Sequence, residues 1–437
     1  MDHLDTTDHH AIIHTAMKPI FSALLSAFFL ISAVFLPAGQ QQDSSSIVSV
    51  ALSPRIRALL HDLPLDRLME WEGRLFLHTG WKGRELLRNR RIPFRIENWT
   101  SDEARGFQAD AAGGINGIYH SYPELELEVL QLGEQYPDLV HICSIGESLE
   151  GRRLYALKIS DNAALDEDEA EVLILGCHHA REWISLEIPL LLARHLAANY
   201  ATDNEIRKIV DRSEIWIVPC INPDGLEYSI HFYRYWRKNR RQNADGSYGV
   251  DLNRNYSAQW GRNNQGSSPY PSSDTYRGTA PFSEPESRAV RDLCAQHRFK
   301  GLISYHSYSQ IILHPWGYTE DPPKESELLA GLSESMSRLM QPVNGRTYHW
   351  SQAFRLYPTN GDTTDWALET HGIPAFTFEL PPVDILGGGF FNAEEEIRGI
   401  FQENLPALLY FMNWAVHTKS EDSRKAEIPG VTSPVLP

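Results

Sequence analysis

The sequence is poor in cysteine, in basic residues and in long apolar runs, and each shortage narrows the possible functions. Four cysteines in 437 residues are too few for a scaffold that depends on disulfides. Lys and Arg total 40 against 57 Asp and Glu, and the formal net charge of −17 argues against nucleic-acid binding, which normally needs a basic face. Only residues 20–36 form a long apolar run. We therefore expect a soluble body, with no stable membrane insertion once that run is removed.

Two of the cysteines, Cys177 and Cys220, each end an apolar run typical of a buried strand. We interpret both as buried thiols. If the two strands are neighbours the thiols can meet, but we predict no bond between them.

A targeting signal is predicted at residues 17–39, where Lys18 precedes the apolar run and small residues follow it. Residues 1–16 are rich in Asp and His, which is the wrong charge for the start of a signal peptide. We interpret them as an upstream over-extension, with translation beginning at Met17. Two alternatives stay open: an uncleaved membrane anchor and a weakly metal-binding His-rich tail. The signal predicts a secreted protein, extracellular or periplasmic.

Composition divides the rest of the chain into four parts. Residues 47–97 alternate apolar runs with polar turns around one helical pattern, which predicts a small α+β unit; residues 51–100 carry ten Lys or Arg against six Asp or Glu. Residues 98–117 are turn-rich and predict an exposed connector. Residues 118–416 predict one large domain, and residues 417–437 a polar, disordered tail.

Within the large domain, strand patterns alternate with helix patterns. The predicted strands are 172–177, 215–220, 301–305 and 374–378, and the predicted helices include 185–198 and 284–297. This alternation predicts an α/β fold with a twisted, mostly parallel mixed sheet covered by helices on both faces. Ligands bind such sheets at the carboxyl ends of the strands.

A candidate metal site follows the first of these strands. His179 and Glu182 are three residues apart, and His306 lies far downstream in another apolar run. Two imidazoles and one carboxylate suit a zinc ion that keeps one coordination position open for chemistry. His178 lies four residues before Glu182, so the spacing alone does not choose between the two histidines.

Six further segments accompany these residues. They are 222–225 (NPDG), 236–238 (WRK), 251–255 (DLNRN), 306–310 (HSYSQ), Tyr357 with 361–366 (GDTTDW), and 377–380 (TFEL). In this order and at these separations, the chain resembles the zinc metallocarboxypeptidases of the carboxypeptidase A/B type from about residue 119 to about residue 416. The resemblance implies the zinc carboxypeptidase fold for the large domain.

The resemblance also implies roles at the metal. It assigns one Zn²⁺ per chain to His179, Glu182 and His306, and it makes Asp251 the acceptor that orients His179. Glu379 becomes the general base and acid, taking a proton from the attacking water and passing it to the leaving amine. Two alternatives remain, since Asp251 could cap its own turn and Glu379 could be a surface residue of an edge strand.

Further matches concern the substrate. The resemblance implies that Arg237 polarises the scissile carbonyl and stabilises the developing oxyanion. The implied substrate-binding residues are Arg181, Asn253, Arg254, Tyr308 and Tyr357. Asn253 and Arg254 would hold the free α-carboxylate, because the planar guanidinium of arginine matches a carboxylate in bidentate fashion.

The pocket for the terminal side chain gives a mixed signal. In the family an Asp directly before the Asp-Trp pair accompanies removal of Lys or Arg, and an Ile accompanies removal of apolar residues. Here Thr364 stands at that position, and Asp362, two residues earlier, could supply a negative charge at the pocket wall. We expect tolerance of both apolar and basic termini.

The predicted function is that of a secreted, monomeric zinc carboxypeptidase that acts on the C-termini of peptides and proteins. We expect no nucleic-acid partner. Residues 47–97 would be a short pro-segment covering the active site, or alternatively an extension that stays attached. A murein-peptide amidase on the same scaffold and a non-catalytic peptide-binding relative are the competing functions.

Overall fold

The computed structural model describes residues 46–61, 63, 65–71, 73–79, 81–97, 116–383 and 388–418. The predictions for residues 1–16 and 17–39 lie outside the described residues. The same holds for nearly all of the 98–117 connector and of the 417–437 tail.

The N-terminal segment folds into a four-stranded antiparallel sheet with two helices. Its elements are β1 (Ser46–Ala51), α1 (Pro54–His61), β2 (Asp66–Trp71), β3 (Arg74–Thr79), α2 (Trp81–Asn89) and β4 (Arg95–Glu97). The strand order is β2-β3-β1-β4. Its apolar core includes Val48, Val50, Leu77 and Leu87, all fully buried. The one helical pattern in this segment, at residues 83–88, corresponds to α2, and α1 was not predicted.

The large domain contains eight strands and eight helices within the described range. The strands are β5 (Val140–Glu147), β6 (Arg153–Ile159), β7 (Ala170–Leu175), β8 (Ser213–Val218), β9 (Phe299–Ser307), β10 (Ile311–His314), β11 (His349–Gln352) and β12 (Ala375–Leu380). The helices are α3 (Tyr122–Gln135), α4 (Ile184–Asn199), α5 (Asn204–Val210), α6 (Pro223–His231), α7 (Pro285–Gln296), α8 (Ser326–Asn344), α9 (Thr363–His371) and α10 (Glu394–His417).

The eight strands form one mixed sheet in the order β11-β10-β12-β9-β7-β8-β6-β5. Its centre, β12-β9-β7-β8, is parallel throughout. The antiparallel pairs are β10 with β12, β8 with β6, and β6 with β5. The mostly parallel mixed sheet predicted from the alternating pattern is therefore confirmed.

Side chains of the central strands alternate between two cores, because successive residues of a strand point to opposite faces. In β7, Val172 and Ile174 pack in one core, while Leu173 and Leu175 pack in the other. Both faces are covered, and the carboxyl ends of the four parallel strands meet at one edge. Among the helices of the described ranges, none has the length and apolarity to cross a bilayer.

Candidate metal centre and active site

Three buried side chains converge at the carboxyl edge of the parallel strands. His179 and Glu182 lie in the turn between β7 and α4, and His306 is on β9, the parallel neighbour of β7. His179 Nδ1 lies 2.8 Å from Glu182 Oε1, and His306 Nδ1 lies 2.9 Å from Glu182 Oε2. One ligand atom from each residue lies within 4.8 Å of the others. The geometry can bring two imidazole nitrogens and a carboxylate onto a single ion.

His178 points away from this group. Its Nε2 lies 2.9 Å from the Tyr256 hydroxyl and 3.0 Å from Thr363 Oγ1, and its Nδ1 lies 3.3 Å from Ser304 Oγ. Burial, together with the neighbouring His306, holds the pKa of His178 well below its ordinary value. His178 is thus a neutral, hydrogen-bonded core histidine, and the candidate metal group contains His179 in its place.

Asp251 orients His179 from behind. Its Oδ1 lies 3.2 Å from His179 Nε2 and also accepts a hydrogen bond from the Asn253 backbone N–H, so Asp251 caps its own turn as well. With Nε2 donating to this carboxylate, Nδ1 of His179 is left facing Glu182 and His306. Burial alone would raise the pKa of Asp251, but Arg237 and His179 outweigh it and hold the pKa well below its ordinary value.

The donor set fits zinc. Burial would raise the pKa of Glu182, but His179 and His306 lower it well below the ordinary value, so the carboxylate is ionised. Nε2 of His306 lies 3.1 Å from Ser304 Oγ and 3.4 Å from Asn253 Nδ2, which leaves Nδ1 directed at the group. Two oriented imidazoles and an ionised carboxylate are ligands typical of a zinc site that keeps an open position.

Glu379 stands on β12 directly beside His306 in the parallel register of β12 and β9. Burial, and then the charge of Glu182, raise the pKa of Glu379 well above its ordinary value, while Arg237, Arg181 and Arg254 oppose the rise. A divalent cation bound by Glu182 would oppose it further. A carboxyl group in this balance of charges is suited to accept and return a proton.

Arg237 connects the metal group with Asp251. Its Nε lies 3.0 Å from Asp251 Oδ2, and its Nη1 lies 3.9 Å from Glu182 Oε1. The guanidinium is nearly buried, and the ion pair with Asp251 restricts its orientation. A positive charge held in this way stabilises an oxyanion without reorganising during the reaction.

Asn253 and Arg254 lie on a short 3-10 turn that follows Asp251. Asn253 Oδ1 accepts hydrogen bonds from the backbone N–H and the hydroxyl of Thr363, both at 2.9 Å. Arg254 donates through Nε to the Gly266 carbonyl and through Nη1 to the Asn253 carbonyl. These contacts fix the guanidinium before any substrate arrives.

Tyr357 lies in the loop before α9 and is half-buried. Burial, followed by the charge of Glu379, raises its pKa, while Arg254 and Arg237 lower it. Its phenol therefore lies in the field of the same groups that the sequence assigned to catalysis and carboxylate binding.

Arg181 and Tyr308 both pack against the ring of Phe390, a residue that was not predicted from the sequence to be part of the site. The Arg181 guanidinium lies 4.3 Å from the centre of the Phe390 ring, and the Tyr308 ring packs edge-on against Phe390 at 4.8 Å. Arg234 links the same elements, donating to the carbonyls of Arg181 and Phe390, both at 2.6 Å. The aromatic neighbours of Arg234 in residues 232–236 were the available signal, since a buried arginine stacks on aromatic rings.

Asp362 and Thr364 lie at the N-terminus of α9. Asp362 is the N-cap, and its Oδ1 accepts from the Asp365 backbone N–H and from the Thr364 hydroxyl. Its Oδ2 accepts from the Thr359 hydroxyl at 2.7 Å. The pocket carboxylate expected from the sequence thus also serves as a helix cap.

The fold and the centre define a class of protein: an α/β protein with a buried group of two histidines and one glutamate that could hold a metal ion. The chain belongs to the zinc carboxypeptidase family, whose profile matches residues 128–407. It is a metallocarboxypeptidase that uses zinc and acts at the C-termini of peptides.

The sequences of known carboxypeptidases match this chain along the large domain. The chain is 37% identical to a zinc carboxypeptidase of Saccharothrix mutabilis subsp. capreolus over 70% of this chain and 71% of that protein. It is 33% identical to carboxypeptidase B of Astacus astacus over 69% of this chain and 98% of that protein. Among solved structures, thrombin activatable fibrinolysis inhibitor matches with a TM-score of 0.70 at 26% identity, covering 85% of this chain and 98% of the other.

Proposed function

We propose that this protein is a secreted zinc carboxypeptidase that removes apolar and basic residues from peptide C-termini, with Glu379 as general base and acid. The observation that carries the proposal is the register of β12 with β9, which sets Glu379 beside His306. The chemistry that zinc supplies in such a site is Lewis acidity, which polarises a carbonyl and lowers the pKa of a water molecule to about 7.

The chain's own residues provide proton transfer, oxyanion stabilisation and substrate binding. Glu379 takes a proton from the attacking water and returns it to the leaving amine. Arg237, held by Asp251, faces the developing oxyanion. Asn253 and Arg254 bind the free α-carboxylate of the substrate, which restricts cleavage to the last peptide bond.

Tyr357 closes over the terminal residue, and Arg181 with Tyr308 contacts the substrate further from the cut. Support for the last pair comes from their shared packing on Phe390. Thr364 and Asp362 form the pocket for the terminal side chain, with a hydroxyl and one carboxylate available. Support for secretion comes from residues 17–39, whose composition is that of a signal peptide.

Purified protein should be assayed on blocked dipeptides ending in Phe, Leu, Lys, Arg, Asp and Glu, with and without a chelator. We expect cleavage of the first four, none of the acidic pair, and loss of all activity with the chelator. A murein peptide belongs in the same panel, because preferential cleavage of it would favour the amidase function. Glu379→Gln serves as the inactive control.

A further inference from the structure

A group of acidic side chains lies near the amino end of β7, at the opposite end of this strand from the candidate metal centre. Asp161, Glu167 and Glu169 belong to the loop between β6 and β7, and one carboxylate oxygen from each lies within 4.8 Å of the others. This loop enters β7 at its amino end, whereas the zinc ligands follow its carboxyl end. Six residues at about 3.3 Å each separate the two ends by roughly 20 Å.

Glu214 faces this group from the neighbouring strand β8. Its side chain is fully buried, and its Oε1 accepts from Lys158 Nζ at 2.5 Å and from the Glu167 backbone N–H at 2.9 Å. Its Oε2 is buried and has no hydrogen-bond partner among the residues that the structure describes. A buried carboxylate oxygen without a partner is costly, so a native structure normally supplies one.

Glu167 and Glu169 each have an unsatisfied carboxylate oxygen as well. Oε2 of each is buried and lacks a partner within the described part of the chain. Burial, and then the charges of Asp161, Glu167 and Glu214, raise the pKa of Glu169 to about 7, with Lys158 opposing the rise. The charges of the other three carboxylates therefore act on Glu169.

Lys158 does not neutralise the group. Its single ammonium contacts Glu214 Oε1 and the Leu165 carbonyl. Four carboxylates against one ammonium leave an excess of about three negative charges when all are ionised. The adjacent Glu171 is already engaged by His297 Nδ1 and the Arg298 backbone N–H.

We propose that Asp161, Glu167, Glu169 and Glu214 form a binding site for a calcium ion that ties the 160–169 loop to the start of β8. Carboxylate oxygens are the ligands that Ca²⁺ prefers, and Ca²⁺ accepts six to eight of them in flexible geometry. The group contains neither imidazole nor thiolate, the ligands that favour zinc. Backbone carbonyls of the loop and water can complete the shell, as in other calcium sites.

The test uses the full-length, zinc-loaded protein, dialysed into buffer that contains zinc but no other divalent cation. CaCl₂ is titrated while binding is followed by calorimetry and the unfolding midpoint by thermal scanning, with MgCl₂ in parallel. We expect one Ca²⁺ per chain, a dissociation constant between about 10⁻⁶ and 10⁻³ M, a rising midpoint, and weaker binding of Mg²⁺.

Variants locate the site. Glu169→Gln should weaken Ca²⁺ binding at least tenfold, and so should Glu214→Gln if it folds. Asp168→Asn is the matched control: it removes the same charge from an exposed position in the same loop, and affinity should stay within twofold of the parent. Equal weakening in Glu169→Gln and Asp168→Asn would show mere attraction to an acidic loop and overturn the proposal.

A spectroscopic readout tests the position independently. Lys158 Nζ lies 2.5 Å from Glu214 Oε1 and 5.9 Å from the centre of the Trp216 ring, so Trp216 is close enough to sensitise Tb³⁺ bound in the Ca²⁺ site. We expect tryptophan-excited Tb³⁺ luminescence that Ca²⁺ displaces and that Trp216→Phe removes. Absence of Ca²⁺ binding at millimolar concentration, or Tb³⁺ luminescence unaffected by both Trp216→Phe and Glu169→Gln, would reject the site.

Discussion

Replacing Asp362 by Asn tests whether one carboxylate gives the pocket its tolerance of basic side chains. Asp362 is nearly buried, and three donors occupy its oxygens: the Asp365 N–H, the Thr364 hydroxyl and the Thr359 hydroxyl. A carboxylate has about four acceptor positions, so about one remains for a substrate. Burial and the charge of Asp362 raise the pKa of Asp365 well above its ordinary value.

The magnitude follows from what Asn retains. Its carbonyl oxygen can still accept from Asp365 and Thr364, and its NH₂ can donate to the Thr359 hydroxyl. Asn and Asp are about equally good N-caps, so the change in unfolding free energy should be a few tenths of a kcal/mol. What disappears is the charge-assisted bond to a Lys or Arg head group, worth about 1.5–3 kcal/mol. In kcat/KM this is roughly a ten- to hundredfold loss.

The assay compares kcat/KM for dipeptides ending in Lys, Arg, Phe and Leu. Asp362→Asn should depress only the Lys and Arg substrates, while the apolar substrates change less than about twofold. Glu369→Gln is the matched control, because it removes a charge from an exposed position on the same helix and should change neither class. An equal loss for both classes would mean that Asp362 shapes the loop and does not recognise charge. A parent enzyme that cuts only one class would refute the mixed specificity altogether.

The remaining predictions concern the metal, the base and the N-terminal unit. His179→Ala should lose zinc by metal analysis while His178→Ala retains it; the reverse pattern would exchange their roles. Glu379→Gln should keep zinc and bind peptide, because it is not a ligand, yet lose several orders of magnitude in kcat; near-parental turnover would remove it from the mechanism. If residues 47–97 cover the active site, a nick between about residues 98 and 117 should raise activity, whereas equal rates for intact and nicked protein would leave the unit as a structural extension.

The central strands were predictable because each is a continuous apolar run. The runs at 172–177, 215–220, 301–305 and 374–378 correspond to β7, β8, β9 and β12, with ends shifted by one or two residues. Buried on both faces, such strands have no polar alternation to confuse the pattern. Their parallel arrangement brings the following residues to one edge, which is why His179, His306 and Glu379 could be grouped before their distances were known.

The short strands at the sheet's far edge were not predictable in the same way. β10 and β11 have four residues each, and β10 joins β12 in antiparallel register. Four residues give too few repeats for periodicity to separate a strand from a loop. β10 takes its place by pairing with β12, a contact between segments more than 60 residues apart in sequence, and β11 joins the sheet through β10.

The N-cap role of Asp362 and the contacts of Arg234 could not be predicted from the sequence for a related reason. Asp362 was recognised as acidic and close to the Asp-Trp pair, but its role as N-cap depends on where α9 begins, and element boundaries are the least certain part of a sequence-based assignment. In the sequence, Arg234 is one basic residue in an aromatic run, residues 232–236. Its two hydrogen bonds reach carbonyls 53 and 156 residues away, and no local pattern encodes them.

Strand β7 has a group of ligand-type side chains near each of its ends, and a contrast between them explains why one group could be predicted and the other could not. At the carboxyl end of β7, His179 and Glu182 share a turn, so their three-residue spacing is visible in the sequence. At the amino end, the loop acids look like an ordinary solvated charge run until β8 adds Glu214, which pairs with Glu171 in the parallel register. Glu214 is fully buried, whereas Asp166 and Asp168 of the loop are exposed. Burial in the sheet, and not acidity alone, is therefore what distinguishes the proposed cation site from the rest of this acidic chain.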